Sequence, residues 1–325
     1  MTSDRLTFAL EAGLDLPQEG PVLVLGAPGD AVLDALPQDR CTLVQPSFPD
    51  HAALARHGWD MAQAPEGPFA AALVFVPRAR ELAEARIAQA CAAAKGGLVI
   101  VDGQKTDGVE SLLRAVRDRV PLLGQVSKAH GRVFWFAATD AFADWARGPV
   151  QLANGMWTAP GSFSADGEDP GTTLLLAALP AKLGATVADL GAGWGALAAG
   201  VIPRETIGAL HLVEADQAAL DCARRNIPDP RVQFHWADAT TWTPPALLDA
   251  VVMNPPFHTG RAADPGLGQA FIAAAARVLK PSGQLWLVAN RHLPYESTLA
   301  ERFRTVEEVA GDTRFKILHA TRPAR

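Results

Sequence analysis

The chain has 325 residues, of which 49% are hydrophobic and 20% charged, and its formal net charge is −6. These values favour a packed protein of about two domains and exclude a disordered chain. They also argue against a generally polybasic nucleic-acid binder, although a local basic patch is compatible with them. The cysteines at 41, 91 and 222 are far apart and are expected to be free buried thiols. No signal peptide and no membrane-spanning apolar run is recognisable, so we expect a cytoplasmic protein.

The first half of the chain alternates strands with helices, which predicts a parallel sheet covered on both faces. Short apolar runs typical of buried strands occur at residues 21–25, 41–44, 70–76, 98–101 and 132–136. Helical spacing of apolar residues occurs at 30–36, 51–57, 81–95 and 109–120.

The second half repeats this order. Strands are predicted at residues 185–190, 209–213, 232–236, 248–253, 284–289, 305–310 and 314–320. Helices are predicted at 195–201, 218–226, 270–279 and 296–303. The last two strands are joined by only three residues, so the final strand is expected to run antiparallel. A Gly-, Pro- and Trp-rich linker at 142–171 separates the halves, and Asp169 with Pro170 predicts a helix start.

The two halves therefore look like one α/β unit that has been duplicated. We predict two tandem Rossmann-like domains, residues 1–145 and 146–325, each with a mostly parallel sheet flanked by helices and an antiparallel last strand. In the first half, the second strand ends in Gln45 and not in an acid, and the third ends in Val76-Pro77-Arg78 and not in Asn-Pro-Pro-Phe, which indicates that this half kept a fold and lost a site. Two unrelated α/β domains are the alternative.

A glycine-rich turn follows the first strand of the second half. It contains Asp189, Gly191, Gly193 and Gly195, just before a predicted helix. Glycines let the backbone turn tightly and approach a ligand beside the helix N-terminus. With Ala196 the turn also fits the dinucleotide pattern G-x-G-x-x-A. A tight strand–helix turn without a ligand is the simpler alternative.

Two acids end the next two strands. Glu214 lies 23 residues after Gly191 and is placed to accept hydrogen bonds from ribose hydroxyls, as in NAD enzymes and methyltransferases alike. Asp238 is placed to hold an adenine amino group, but the sequence Asp-Ala-Thr-Thr suits a turn cap equally well.

The fourth strand ends in Asn254, Pro255, Pro256 and Phe257. Two prolines cannot continue a strand, so the Asn254 side chain is held at the carboxyl end of the sheet. Its oxygen can accept one N–H of an exocyclic amine, and the Pro255 carbonyl can accept the other. Phe257 offers a flat face on which a base would stack. We interpret this corner as the methyl-acceptor site, against the alternative of a purely structural turn.

The order D-x-G-x-G-x-G, an acid and N-P-P-F resembles the class I methyltransferases that use S-adenosylmethionine (SAM) and act on amino groups. The runs PGSFSADGEDPGTTLLLAALP, NPPFHTG and VANRHLPYESTLAERF are similar to the ribosomal RNA small subunit methyltransferase C family. That resemblance covers residues 160–322 strongly and the first half weakly. It implies two tandem methyltransferase domains, with a degenerate first domain that binds RNA or substrate but no SAM.

The resemblance also implies N2-methylation of a guanine in the 16S rRNA of the 30S subunit, at the family position 1207. It implies SAM as the cofactor, no metal, a monomer, and neither a membrane nor DNA as a partner. By position, Asp189, Gly191, Gly193 and Gly195 would surround the methionine part of SAM. Glu214 would hold the ribose, Asp238 the adenine, and Asn254, Pro255 and Phe257 the guanine. Asn254 would also be one of the cofactor-binding residues, beside the SAM methyl group.

Further substrate contacts are expected from residues that the resemblance or their charge singles out: Phe163, Ser164, His258, Arg291, Lys128 and Arg132. His258 is also consistent with a loop-shaping role. The C-terminal basic residues, which include Arg291 and Lys316, form either a phosphate-contacting face or a solvated surface.

Three other functions stay open. A sister family that methylates a 23S rRNA guanine shares N-P-P-F-H and V-A-N-R-H-L. A protein glutamine-N5 methyltransferase would also use an Asn-Pro-Pro corner, although that family usually has Tyr at the position of Phe257. A non-catalytic SAM-binding RNA chaperone is the third, and the intact second-half motifs argue against it.

Overall fold

The structure is a computed structural model that describes residues 3–167, 169–256, 258–259, 262–263 and 265–324. The chain divides into two compact units, residues 1–148 and 149–325. Each unit is described by itself below. In the described ranges, no helix combines the length and the apolar character that crossing a membrane requires.

The first unit contains one seven-stranded sheet and four α-helices. Its strands are β1 (Val22–Leu25), β2 (Cys41–Val44), β3 (Asp60–Ala62), β4 (Ala71–Phe75), β5 (Leu98–Gln104), β6 (Gly124–Lys128) and β7 (Gly131–Ala137). Its helices are α1 (Ser3–Glu11), α2 (Phe48–Arg56), α3 (Arg80–Ala93) and α4 (Val109–Arg117). The strand order is β3-β2-β1-β4-β5-β7-β6, in which only β7 runs antiparallel to its neighbours.

Burial explains why the central strands read as continuous apolar runs. Every residue of β1 and β4 is buried, because apolar clusters pack on both faces of this sheet. Parallel strands covered on both faces have no solvent side that would impose an alternating pattern.

The predicted helix at residues 30–36 is wrong. The segment forms isolated turns, with the Ala31 amide donating to the Pro28 carbonyl and the Leu36 amide to the Leu33 carbonyl. Leu33 and Leu36 are buried, and their spacing produced the helical pattern. Pro37 has no N–H to donate, so a helix here could not extend past Leu36, and the two turns bury both leucines without the cost of a helix nucleus.

The second unit contains another seven-stranded sheet, two short hairpins and five α-helices. Its strands are β8 (Val150–Gln151), β9 (Trp157–Thr158), β10 (Thr186–Leu190), β11 (Ala209–Glu214), β12 (Val232–Trp236), β13 (Leu248–Met253), β14 (His258–Thr259), β15 (Ala262–Ala263), β16 (Leu279–Asn290), β17 (Phe303–Gly311) and β18 (Phe315–Pro323). Its helices are α5 (Pro170–Ala178), α6 (Ala196–Val201), α7 (Gln217–Asn226), α8 (Pro265–Val278) and α9 (Tyr295–Arg302).

The large sheet has the order β12-β11-β10-β13-β16-β18-β17, which matches the first unit strand for strand. Strand β18 runs antiparallel to β16 and β17, as predicted. The predicted fold class, two tandem Rossmann-like domains with an antiparallel last strand, is thus confirmed.

The register of the central strands gathers the predicted site. Asp189 on β10 pairs with Val252 on β13, while Leu190 pairs with Val213 on β11. Because these strands are parallel, the glycine turn, Glu214 and the end of β13 share one edge. The carboxyl edge of such a sheet is where open α/β folds bind ligands.

Candidate active site

Asp189 is a buried acid without a partner. Its side chain is 1% exposed, and neither carboxylate oxygen has a hydrogen bond of normal geometry in the described part of the chain. Burial raises its pKa from 3.8 to about 8, the nearby Glu214 carboxylate adds to the rise, and the Ala198 amide opposes it. Burying a carboxyl group without a hydrogen-bond partner costs free energy. A ligand that brings a hydrogen-bond donor or a cation to Asp189 would offset this cost.

The glycine turn brings the two predicted halves of the site together. A Cβ added to Gly191 would lie 3.2 Å from the Phe271 ring and 3.8 Å from Cδ of Pro256, next to the end of β13. A Cβ added to Gly193 would meet no atom of the described residues within 4 Å. Both glycines have positive φ, as does Gly195 at the start of α6. Open space beside a glycine backbone is what close approach of a ligand requires.

Glu214 is fixed at the end of β11 by two backbone amides. The Gly193 amide donates to Oε2 and the Asp216 amide donates to Oε1, each at 2.7 Å. Burial raises the pKa of this carboxyl group, and the two amides oppose the rise. Each oxygen keeps a second lone pair, so the carboxylate can also accept from a diol.

Asp238 acts as a turn cap. Its Oδ1 accepts from the Thr240 amide at 2.8 Å and from the Thr240 hydroxyl at 2.6 Å. The alternative stated for this residue is therefore realised in the structure. Both bonds use Oδ1, so a contact from Oδ2 to a cofactor is compatible with the cap and stays a prediction.

The Asn254 amide is held in one orientation. Its Nδ2 donates to Asp169 Oδ2 at 2.9 Å and to Thr172 Oγ1 at 3.0 Å. Its Oδ1 has no hydrogen bond to any described residue. Pro255 is buried and Pro256 exposed, so the chain leaves the sheet directly after Asn254. The arrangement presents a carbonyl oxygen, and not an NH₂ group, as the free end of the side chain.

Two functional contacts of this site were missed by the sequence interpretation. Asp169 and the start of α5 were predicted as a helix cap, and Asp169 does accept from the Thr172 amide at 2.7 Å. Their contact with Asn254 was not predicted, because these residues lie 85 and 82 positions away in the sequence. Asn226 was missed as well: its Nδ2 donates to the carbonyls of Trp157 and Trp194.

The segment before α5 packs onto the glycine turn. The Trp194 indole donates to the Phe163 carbonyl at 2.9 Å, which ties residues 160–165 to the turn. The Phe163 side chain is 60% exposed, and Ser164 has a φ of 49°. An exposed aromatic ring held by its own backbone beside the turn is suited to stack on a base, and that role stays a prediction for both residues.

Some predicted substrate contacts already have protein partners. Arg291 pairs with Glu308 at 3.0 Å and donates to the Asp312 carbonyl. In the first unit, Arg132 pairs with Glu110 at 2.8 Å, and Lys128 lies 5.0 Å from the Phe8 ring centre.

Phe257 and the side chain of His258 lie outside the described residues. Lys316 cannot contact a phosphate as a surface cation, because it is 4% exposed and bonded to Glu296 and the Leu293 carbonyl. Across the described ranges, no group of three or more His, Cys, Asp or Glu side chains has a metal-binding arrangement.

Comparison with known families decides what kind of enzyme carries this site. Residues 153–319 match the methyltransferase small domain, and residues 13–145 match the methyltransferase small domain N-terminal region. The chain belongs to the methyltransferase small domain family. As a member of that family it is a methyltransferase, and the matched residues include the glycine turn, Glu214 and Asn254.

Curated relatives of this family resemble the chain over most of its length. Ribosomal RNA small subunit methyltransferase C of Hahella chejuensis is 31% identical over 93% of this chain and 94% of its own. Ribosomal RNA large subunit methyltransferase G of Streptomyces avermitilis is 27% identical over 98% of this chain and 92% of its own. Both named activities belong to those relatives.

A solved structure shares the fold of the whole chain. The T. thermophilus 16S rRNA N2 G1207 methyltransferase, in complex with AdoMet and guanosine, superposes with a TM-score of 0.78. It covers 95% of this chain and 90% of its own, at 24% sequence identity. This similarity concerns the fold: two tandem methyltransferase-like domains in one chain.

Proposed function

We propose that this methyltransferase transfers the methyl group of SAM to the exocyclic N2 amine of a guanine in 16S rRNA of the small ribosomal subunit. The observation that carries the proposal is the Asn254 amide. Its Nδ2 is occupied by Asp169 and Thr172, so its Oδ1 is left to accept a proton of an incoming amine.

SAM is the methyl donor, and it supplies a methyl group on a sulfonium sulfur. The donor side of the site fits this molecule. Asp189 offers a buried carboxylate without a partner, which suits the ammonium of the methionine part. The space beside Gly193 admits the ligand, and Glu214 accepts from the ribose hydroxyls. Oδ2 of Asp238 is left to accept from the adenine amine.

The acceptor side of the site orients the substrate amine for methyl transfer. Asn254 Oδ1 and the Pro255 carbonyl accept the two N–H groups of guanine N2, which turns the nitrogen lone pair out of conjugation with the ring. The positive charge that develops on this nitrogen then faces two fixed dipoles. Phe257 and Phe163 would stack on the base. Guanine N2 would gain the methyl group while the sulfonium sulfur keeps the electron pair of its S–CH₃ bond, and the cationic N2 would then pass one proton to water. Since positioning of two bound reactants can supply a large part of the barrier reduction, this step needs no strong general base.

The small-subunit guanine is favoured by the relative that is 31% identical over almost the whole chain. The guanine we propose corresponds to position 1207, the position named for the T. thermophilus protein of the same fold. A 23S rRNA guanine is the second candidate, because the large-subunit relative covers 98% of this chain. Both candidates share the amine chemistry of the Asn-Pro-Pro corner and differ only in the RNA.

The test is methyl transfer from labelled SAM to unmodified 30S particles, 50S particles, naked 16S rRNA and naked 23S rRNA. The methylated nucleotide is then mapped by nuclease digestion and mass spectrometry. We expect N2-methylguanine in small-subunit RNA only. Labelling of 23S rRNA alone would select the second candidate, and labelling of a base other than guanine would overturn both.

A further inference from the structure

The orientation of the Asn254 amide is set by residues outside the strand that carries it. An asparagine amide can be turned by 180° about its terminal bond, which exchanges the oxygen and the NH₂ group. Here Nδ2 faces Asp169 Oδ2 at 2.9 Å and Thr172 Oγ1 at 3.0 Å. An ionised carboxylate only accepts hydrogen bonds, so the group next to Asp169 must be the NH₂.

We propose that Asp169 and Thr172, at the start of α5, are positioning residues that hold the Asn254 amide with its oxygen toward the acceptor amine. This inference rests on the proposed function, in which Asn254 Oδ1 accepts a proton of the substrate amine. It adds to that function two residues on a separate helix that set the active orientation.

The reversed amide would fail on both sides. Its oxygen would lie against Asp169 Oδ2, and two acceptors would then face each other without a proton between them. Its NH₂ would face the NH₂ of the substrate, and two donors would oppose each other at the reacting nitrogen. The Asp169 carboxylate therefore selects the one orientation that supports methyl transfer, and the Thr172 hydroxyl, which can accept or donate, helps to hold the amide in place.

Helix capping alone does not explain both residues. Asp169 caps α5 by accepting from the Thr172 amide at 2.7 Å, a task that serine performs equally well at this position. The capping bond uses the backbone of Thr172, whereas Asn254 uses its hydroxyl. Thr172 is only 8% exposed. Without its contact to Asn254, the Thr172 hydroxyl would lose a hydrogen-bond partner in a buried position, which costs free energy.

The test separates orientation from folding with matched variants of the full chain. Thr172→Val removes the hydroxyl but keeps the side-chain shape, and Asp169→Ser keeps a capping oxygen but shortens the side chain. Thr172→Ser retains the hydroxyl and serves as the rescue. Thr173→Val is the control, since Thr173 lies in the same turn and its hydroxyl donates to the Asp169 carbonyl at 3.3 Å and not to Asn254.

We expect kcat to fall roughly 10-fold in Thr172→Val or Asp169→Ser and further in the double variant, because small misplacements of reacting groups cost about this much or more. KM for SAM should change less than about 2-fold, since the donor side is intact. Thr172→Ser and Thr173→Val should keep nearly full kcat. A fold-wide defect would instead change KM and kcat together and lower the unfolding temperature.

A spectroscopic measurement reports the amide directly. The chain has four asparagines, so selective ¹⁵N labelling of asparagine side chains gives four NH₂ pairs. The pair lost in Asn254→Ala identifies Asn254. Its two protons should be widely separated and slow to exchange in the natural protein and in Thr173→Val, and should converge in Thr172→Val and Asp169→Ser.

The outcomes distinguish this inference from the function on which it rests. Full turnover by Asn254→Ala would overturn the proposed function. Loss of turnover by Asn254→Ala, together with natural kcat in the Thr172→Val/Asp169→Ser double variant, would overturn only the positioning role. An unchanged Asn254 NH₂ pair in that double variant would overturn it as well.

Discussion

The two units have the same strand order but opposite chemistry at the same strand end. Glu214 at the end of β11 accepts from the Gly193 amide, whereas Gln45 after β2 donates from Nε2 to the Ala27 carbonyl at 2.6 Å. Both side chains also accept an amide from two residues further on. In the first unit the loop thus presents a carbonyl where the second presents an N–H, and an amide stands at the strand end where the second unit has a carboxylate.

The turn after β1 differs as well. Gly26 has a positive φ like Gly191, but a Cβ added there would lie 2.0 Å from Nη1 of Arg86, which donates to the Phe75 carbonyl. In the second unit, the neighbour of Gly191 is the Phe271 ring, and the space beside Gly193 is open. A protein cation lies beside the turn in the first unit, where the second leaves room for a ligand.

The fourth strand ends complete the contrast. Strand β13 is followed by Asn254, whose amide is held in one orientation. Strand β4 is followed by Val76, whose side chain is apolar. A cavity of about 190 Å³ lies at this end of β4, lined by Val76, Arg78, Arg80, Ala83, Asp107, Gly108, Ser111 and Leu112. The same strand order thus forms with either set of strand-end residues, because the buried core strands carry the stability, and we predict that the first unit binds no SAM.

The largest expected effect comes from Asn254→Ala. It should lower methyl transfer by about 100-fold or more, as removal of one preorganised polar contact does in other enzymes. SAM affinity should change little, because Asp189, the glycine turn and Glu214 carry most of the predicted SAM contacts. Single-turnover rates measure methyl transfer, and calorimetric titration measures SAM binding. Val76→Ala at the matching position of the first unit is the control, and an equal loss in both variants would contradict the contrast.

Glu214→Gln should give the second unit the chemistry of the first. The new amide must turn its NH₂ toward either the Gly193 or the Asp216 amide, and it loses a charged acceptor for the ribose. SAM affinity should fall roughly 10- to 100-fold, the value of one or two hydrogen bonds to a charged group. Gln45→Glu is the reciprocal variant, and it should not create a second SAM site. Calorimetric stoichiometry checks both expectations.

Gly193→Ala should lower SAM affinity by roughly 10-fold or more, because its Cβ enters the ligand space. Gly155→Ala is the matched control: both glycines have positive φ and open surroundings, but Gly155 lies in the β8–β9 turn. Each substitution should cost about 1 kcal/mol of stability, the strain of a left-handed alanine. Equal SAM affinity in the two variants would refute the role of Gly193.

The smallest expected effect is a pH dependence of stability that Asp189 contributes at the strand end of the second unit. The pKa of Asp189 is about 8 in the folded protein and 3.8 as its ordinary value. The folded state therefore holds a proton that the unfolded chain has lost. Its contribution to stability is complete below about pH 4 and is lost as the pH rises to about 8.

The side chain at position 189 cannot ionise in the Asp189→Asn variant. The melting temperature of this variant should therefore rise relative to that of the natural protein as the pH increases. Without SAM, the gap should widen by roughly 5 °C between pH 5 and pH 9. Scanning calorimetry of both proteins at several pH values measures it. A constant gap would mean that Asp189 is already paired and ionised.

Much of the architecture was accessible from the sequence. Apolar runs that alternate with helical segments predicted both sheets. The short Gly311–Thr313 connection predicted the antiparallel last strand. The failure at residues 30–36 has a local cause, since apolar spacing there reflects burial of Leu33 and Leu36 in turns between two prolines. Motif residues that follow strands were identified because the carboxyl edge of a parallel sheet collects them.

What the sequence determined by itself was the local part: strand ends, turns, and the residue types placed there. What only the tertiary structure decided was which way those groups face. Asn254 is the clearest case, because its residue type permits two amide orientations and the chain selects one through Asp169 and Thr172, more than 80 positions away. Gln45 shows a related limit: its Oε1 accepts from the nearby Ser47 amide, but the Ala27 carbonyl that its Nε2 meets lies 18 positions away. Hydrogen-bond direction depends on neighbours that folding brings together, and no local pattern records them.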